Sequence, residues 1–155
     1  MKEDKKKLDE ALGEIQEVSI LKKELIEKKI QNFIDKIAPL VLHQCWCSFQ
    51  LGCGQSYNLV PTEEQLKSLK DAINTFLRNP MVTPEEMHRN WMNFKIANGW
   101  LFGLAKDESL KYHPNLVDWK YLNDVEKKKD TMHIEAQRFM YEIAKMVNDE
   151  KEEKI

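Results

Sequence analysis

Thr83-Pro84-Glu85-Glu86-Met87-His88-Arg89-Asn90-Trp91-Met92-Asn93-Phe94-Lys95-Ile96-Ala97-Asn98-Gly99-Trp100-Leu101-Phe102-Gly103 is the stretch whose reading decides the fold. Thr83 offers a hydroxyl to an orphan backbone N–H, Pro84 is pre-set for a first turn, and Glu86 can return the capping hydrogen bond, so a helix starts here. Gly99 is the matching stop. Met87, Trp91 and Phe94 share one stripe at helical spacing, and His88, Trp91 and Lys95 share an adjoining one, which sets Trp91 on the border between a core face and a polar face. Beyond Gly99, the alternation of Trp100, Phe102 and Leu104 around Gly103 predicts a short extended segment, a small hairpin or turn that must pack on the helices.

Working outward, the flanking segments are helical as well. Thr62-Glu63-Glu64-Gln65 is a second capping box, followed by the stripe Leu66, Leu69, Ile73, Phe76 and Leu77, and Asn79-Pro80 ends that helix. Leu40 to Gln50 reads as an apolar helix before the Gly52-Cys53-Gly54 turn, and Ala38-Pro39 marks a kink or break before it. Upstream, Leu8, Leu12, Ile15, Val18, Leu21 and Leu25 recur every three or four residues among Lys and Glu, an amphipathic helix. A heptad seam fails after Val18, because positions 22, 29 and 32 of that register are Lys, Lys and Asn. Downstream, Asn123-Asp124-Val125-Glu126 repeats the capping signature, and the last helix has the stripe Met132, Ala136, Phe139, Met140, Ile143 and Val147. The expected fold is mainly α: about five helices around one core, with a short irregular or β-hairpin insert between the fourth and fifth. The expected organisation is an amphipathic N-terminal extension over 1–36, a domain over 37–148 and a charged, fraying tail over 149–155.

Bulk properties exclude several classes. A chain of 155 residues has room for one domain with a real core plus an extension. Its 24 basic and 26 acidic residues leave a formal net charge of -2, so no global field draws it onto nucleic acid or an anionic membrane. No apolar run reaches the roughly 20 residues a membrane helix needs, and three Cys at 45, 47 and 53 make no disulfide framework, which points to a reducing cytoplasm. His43 with those Cys invites a zinc site, but Cys45 and Cys47, two apart on a helix, point in nearly opposite directions, so no metal is expected. The chain has no phosphate-binding Gly-rich loop, nucleophile elbow or His-Glu-x-x-His, and nothing orients a base toward a Cys nucleophile; no catalytic residue and no cofactor is expected.

Trp91 and Lys95, one turn apart, present a flat π surface beside a cation, which suits a free nucleotide derivative as well as it suits a core Trp with a solvated neighbour. His88-x-x-Trp91, Lys95, Gly99-Trp100-x-x-Gly103, Lys106-Asp107, Lys111-x-His113-Pro114-x-Leu116-Val117, Leu122 and Lys129-Asp130 resemble the RyR domain, the repeat of ryanodine receptor channels that also occurs singly in bacterial and phage proteins. The chain departs from the family at Val117-Asp118-Trp119, where Val-Pro and an aromatic are usual.

The resemblance implies binding of an adenine-type nucleotide. The matching positions are Trp91, Lys95, His113 and Asp130, with His88, Trp100 and Lys111 in the same motif run and His43 where single-copy members carry a His. In the receptors two Trp from two repeats clasp the base. With one copy of the motif read here, a comparable clamp requires a second subunit, so a homodimer is expected. The resemblance also implies a sensor of defence-signalling nucleotides or, in a phage, a sponge for one. Three readings stay open: a non-enzymatic binder of an adenine or ADP-ribose type nucleotide, a structural or protein-interaction module using the N-terminal helix, and a nucleotide-processing enzyme.

Overall fold

The computed structural model describes residues 2–153; Met1 and the last two residues of the expected tail lie outside them. The protein is mainly α, and it divides into two compact units, Met1–Ile37 and Ala38–Ile155.

The first unit is helix α1, Lys2–Asn32, followed by a π-helical turn, Phe33–Ile37. No residue of either is buried. The break expected at Ala38-Pro39 takes the form of this π-turn, which runs directly into the next helix. A widened turn relieves the clash between a proline ring and the carbonyl four residues earlier, so helical backbone continues.

The second unit holds α2 (Ala38–Gly52), α3 (Glu63–Arg78), α4 (Pro84–Ala97) and α5 (Asp124–Glu153). The segment expected to fray is helical as far as Glu153. Of the three predicted capping signatures, two form reciprocal boxes, Thr62 with Gln65 and Thr83 with Glu86, and at the third Asn123 Oδ1 accepts the Glu126 N–H at 2.9 Å. The helix α2 packs on α3 and α5, α4 packs on the same two, and α3 touches α5. Phe76, Val82, Met87 and Ile134 form the apolar centre, with Leu42 fully buried on α2. The chain thus has the five helices expected, and the core of this unit is made by its own four.

Two further readings are corrected. Leu101–Phe102 (β1) and Tyr112–His113 (β2) pair in parallel, Leu101 opposite Tyr112, so they are not the two arms of a hairpin; among the described residues the one antiparallel pairing within the insert is the tight Asp107–Tyr112 bridge. On α5 only half of the expected stripe faces inward: Met132, Ala136 and Met140 are part-buried, while Phe139 is 68 % exposed and Ile143 and Val147 are exposed too. The buried face instead carries Ile134 and Gln137, flanked by the part-buried Asp130 and His133. Residues 130, 133, 134 and 137 lie at helical spacing, so α5 turns a largely polar face toward its neighbours.

Gly99 ends α4 in the left-handed region, φ +86°, with its own N–H on Ile96 O and the Trp100 N–H on Lys95 O, both at 3.0 Å, a paired C-terminal cap. Asp118, where proline is usual, has φ −57°, the value a proline ring imposes, and leads into a 3-10 turn, Trp119–Tyr121. At Gly103, a Cβ would stand 2.6 Å from Cβ of Tyr112. Gly103→Ala should cost roughly 1–3 kcal/mol through that overlap, and Gly99→Val about 1–2 kcal/mol through its backbone. Denaturant unfolding of each variant checks both; stability equal to wild type would mean that β1 and β2 do not approach as described.

Candidate functional site

The helix α4 positions His88 and Trp91 one turn apart. His88 is 4 % exposed, and its Nε2–H donates to Val117 O at 2.8 Å, which leaves Nδ1 facing Asp130 Oδ2 across 3.7 Å. Burial lowers the His88 pKa against the opposing pull of that hydrogen bond. Trp91 is half-buried: its ring lies against His88, centroids 5.7 Å apart and 28° between planes, and it meets His113 edge-on at 5.0 Å. On β2, His113 Nδ1 accepts the Asn115 N–H at 3.1 Å, so the neutral ring carries its proton on Nε2. Burial first, then Lys106 and Lys95, hold its pKa down to about 4.

The polar face of α5 closes this side. Burial, helped by Glu126, raises Asp130 to about 7 against the pull of Lys129, and burial holds His133 down to about 4. His133 Nδ1 has no protein partner. Glu126 is the hub: Oε2 accepts from Asn115 Nδ2 and Lys129 Nζ, both at 2.8 Å, and Oε1 from Gln55 Nε2 at 3.3 Å. Burial would raise its pKa, but Lys129 and the two amides outweigh it and the net shift is down.

These groups surround a cleft of two lobes, of about 160 and 410 Å³. Both are lined by Trp46, Trp91, Lys106, His113, Asp130 and His133. The smaller lobe reaches α3 at Gln65, Ser68, Leu69 and Ala72. The larger opens toward Gln55, Asn115, Glu126 and Lys129. Together they fall in the size range of small-molecule sites, about 300–1,000 Å³.

Of the residues singled out in the sequence, His43, Trp91, Lys95, His113 and Asp130 line the smaller lobe, and His88 lines the larger. Lys95 is already engaged: Nζ lies 3.5 Å from Glu64 Oε1 and 4.4 Å over the Trp100 ring, and burial lowers its pKa despite Glu64. Trp100 is 3 % exposed, donates its indole N–H to the same Glu64 oxygen at 2.7 Å, and is core. Lys111 sits in the left-handed region at φ 57° with Nζ on Asn98 O at 2.7 Å; neither it nor Trp100 lines the cleft. His43 Nε2–H donates to Asn58 O at 2.7 Å, and the Cys47 thiol reaches the same carbonyl at 3.4 Å, its pKa raised by burial. Among the described residues no group of three His, Cys, Asp or Glu is placed to hold a metal ion, and no helix is long and apolar enough to cross a membrane.

Sequence reasoning missed Trp46, Lys106, Gln55, Glu126 and Lys129. For Trp46 the signal was present: His43-Gln44-Cys45-Trp46 has the spacing of His88-Arg89-Asn90-Trp91, so the motif occurs twice in the chain, not once.

The RyR domain family model matches residues 77–144. Residues 77–144 are a RyR domain. The match takes in α4, the insert, and α5 as far as Ala144. No curated protein and no solved structure matches the chain. Within the RyR domain lie Trp91, Lys106, His113, Glu126, Lys129, Asp130 and His133; His43, Trp46, Gln55 and Gln65 come from the residues before it.

Asp130 carries a folded pKa above its ordinary value, so its protonated form favours the fold: that stability is complete below about pH 4 and is lost as pH rises toward 7. Asp130→Asn should therefore gain on wild type with rising pH, by on the order of 1–3 kcal/mol between pH 4.5 and 8. Unfolding free energies of both proteins at the two pH values measure the gain. A difference that does not change with pH would show that Asp130 ionises freely in the cleft.

Proposed function

We propose that the cleft binds, without chemical turnover, a nucleotide derivative with an adenine-type base, and that the protein senses or sequesters that ligand. The observation that carries this reading is a half-buried indole, Trp91, in a cleft that also holds hydrogen-bonding groups held near neutrality and a cation. A planar base gains about 1–3 kcal/mol by stacking on such a ring. His113, with its pKa near 4 and a proton on Nε2, and Asp130, near 7, offer donors and acceptors at little charge cost. Among the described residues Lys106, on the exposed insert, has one ion partner, the exposed Glu108 at 3.1 Å, a solvent-accessible pair that a phosphate can displace, whereas Lys95 is part-buried against Glu64. The same numbers argue against catalysis: His113 is a weak base at neutral pH, and the ionisable groups acting on Asp130 are His88, Glu126 and Lys129, none of them placed as a nucleophile.

Calorimetry against ATP, ADP-ribose and cyclic ADP-ribose, followed by recovery of the ligand, tests the reading. Trp91→Ala should cost about 1–3 kcal/mol of affinity while losing less stability than the about 3–5 kcal/mol of a fully buried Trp. Lys106→Ala should weaken phosphate-bearing ligands more than the nucleoside, the more so at low salt. Altered ligand after recovery would make the protein an enzyme, and absence of heat with all three would remove the nucleotide reading.

A second reading has its own observation: Leu8, Leu12, Ile15, Val18, Leu21 and Leu25 of α1 are all at least half exposed. Exposed apolar side chains along one helix favour self-association through α1, in line with the expected homodimer. Light scattering at micromolar concentration should then report a dimer, and a monomer would remove this reading.

A further inference from the structure

Resting on the nucleotide reading of the cleft, we infer that the chain contains both halves of the base clamp: α2 and α3 are a second, diverged copy of the unit formed by α4 and α5, and Trp46 is the second wall facing the base.

The two units share a series of contacts, although the carbonyl that each His reaches is the first residue of one Asn-Leu-Val stretch, Asn58, and the third of the other, Val117. His43 and His88 are each 4 % exposed. Each donates Nε2–H to a backbone carbonyl, Asn58 O at 2.7 Å and Val117 O at 2.8 Å. Each backs the indole three residues on, His43 on Trp46 at 5.4 Å and 33°, His88 on Trp91 at 5.7 Å and 28°. The accepting carbonyls lie in Asn58-Leu59-Val60-Pro61 and Asn115-Leu116-Val117-Asp118. The two Asn side chains then bond the third residue of the following helix, Asn58 to Gln65 at 2.6 Å and Asn115 to Glu126 at 2.8 Å. From those residues, steps of three, four and seven reach Ser68, Leu69 and Ala72 on α3 and Lys129, Asp130 and His133 on α5, and every one of them lines the cleft. One step further, Ile73 and Ile134 are both buried.

Helix packing has the same symmetry. Exchanging α2 with α4 and α3 with α5 turns each principal helix contact of this unit into another: α2 on α3 into α4 on α5, and α2 on α5 into α4 on α3. An approximate twofold through the α3–α5 contact therefore relates Trp46 to Trp91, and both indoles line both lobes. Among the described residues neither indole N–H has a hydrogen-bond partner, unlike that of Trp100, which donates to Glu64.

The copies have diverged in charge, and that gives the ligand a direction. On α3 the lining positions are Gln65, Ser68, Leu69 and Ala72; on α5 they are Glu126, Lys129, Asp130 and His133. A planar heterocycle lies between the indoles with its apolar edge toward α3 and its hydroxyl-bearing part toward α5, where carboxyl groups accept sugar hydroxyls. One chain completes the site, so binding needs no second subunit.

Calorimetry with the ligand that binds wild type, chosen among ATP, ADP-ribose and cyclic ADP-ribose, tests the inference together with thermal melting. One ligand per chain is expected. Trp46→Leu, which keeps apolar bulk and loses the ring face, should weaken binding about 5- to 150-fold, as Trp91→Leu does, while Trp46→Phe loses little. Should Trp46→Leu fail to fold, the indole N–H resonances of the wild type serve instead, and ligand should shift those of both Trp46 and Trp91. Wild-type affinity in Trp46→Leu beside a loss in Trp91→Leu, an unmoved Trp46 resonance, or one ligand per two chains would overturn the single-chain clamp and leave the nucleotide reading in place. Absence of binding to the wild type by all three probes would overturn both.

Discussion

The carboxylate of Glu126 is the constraint on which the site depends. It is drawn out of water at the start of α5, and its cost is offset because Lys129, Gln55 and Asn115 all converge on it. Those partners come from α5 itself, from the loop after α2 and from the segment after β2. Satisfying one buried charge therefore fixes the relative position of three parts of the chain, and the walls of the larger lobe with them. Such a network is worth more as a specification of geometry than as a sum of hydrogen bonds, since Lys129 reaches both Glu126 oxygens while Asn115 and Gln55 each hold one.

Around that fixed charge the imidazoles and the Asp130 carboxyl of the cleft are kept close to neutral, beside the cations Lys106 and Lys129. The two imidazoles on its rim are disfavoured as cations, and the nearest carboxyl keeps its proton to about neutral pH. Each shift has desolvation as its leading cause, so these side chains behave as hydrogen-bonding groups more than as charges. The amide of Gln137, buried on the same face of α5 without a protein partner, extends this polar character into the core.

Much of the fold was legible because helix ends are written locally. The capping boxes at Thr62 and Thr83 and the stop at Gly99 depend on residues within a few positions of one another, and all three stand where the sequence puts them. The face that α5 buries was not legible. Its apolar stripe through Phe139, Ile143 and Val147 is the stronger periodic signal, yet the helix turns Asp130, His133 and Gln137 inward, a choice made by long-range partners that periodicity cannot see. Parallel pairing of β1 with β2 was hidden for the same reason, since two-residue strands carry no register information of their own. Of the site, Trp91, His113 and Asp130 were legible through their motif run. Trp46 was passed over although its spacing from His43 repeats that of Trp91 from His88, because an apolar helix with three Cys drew the reading toward metal chemistry.

Lys106 rides on the stretch between β1 and β2, where most residues are exposed and Leu104 is 93 % exposed. That stretch is closed at its base by the Leu101–Lys111 backbone bond and by the ammonium of Lys111 on Asn98 O, with little apolar burial beneath it. Segments of this kind open locally at a small fraction of the free energy of global unfolding. Lys106 is thus carried on a short, mostly exposed crossover pinned by the Asp107–Tyr112 backbone pair, while the indoles of Trp46 and Trp91 are carried on helices. Local opening of the crossover would therefore displace Lys106 without disturbing Trp46 or Trp91.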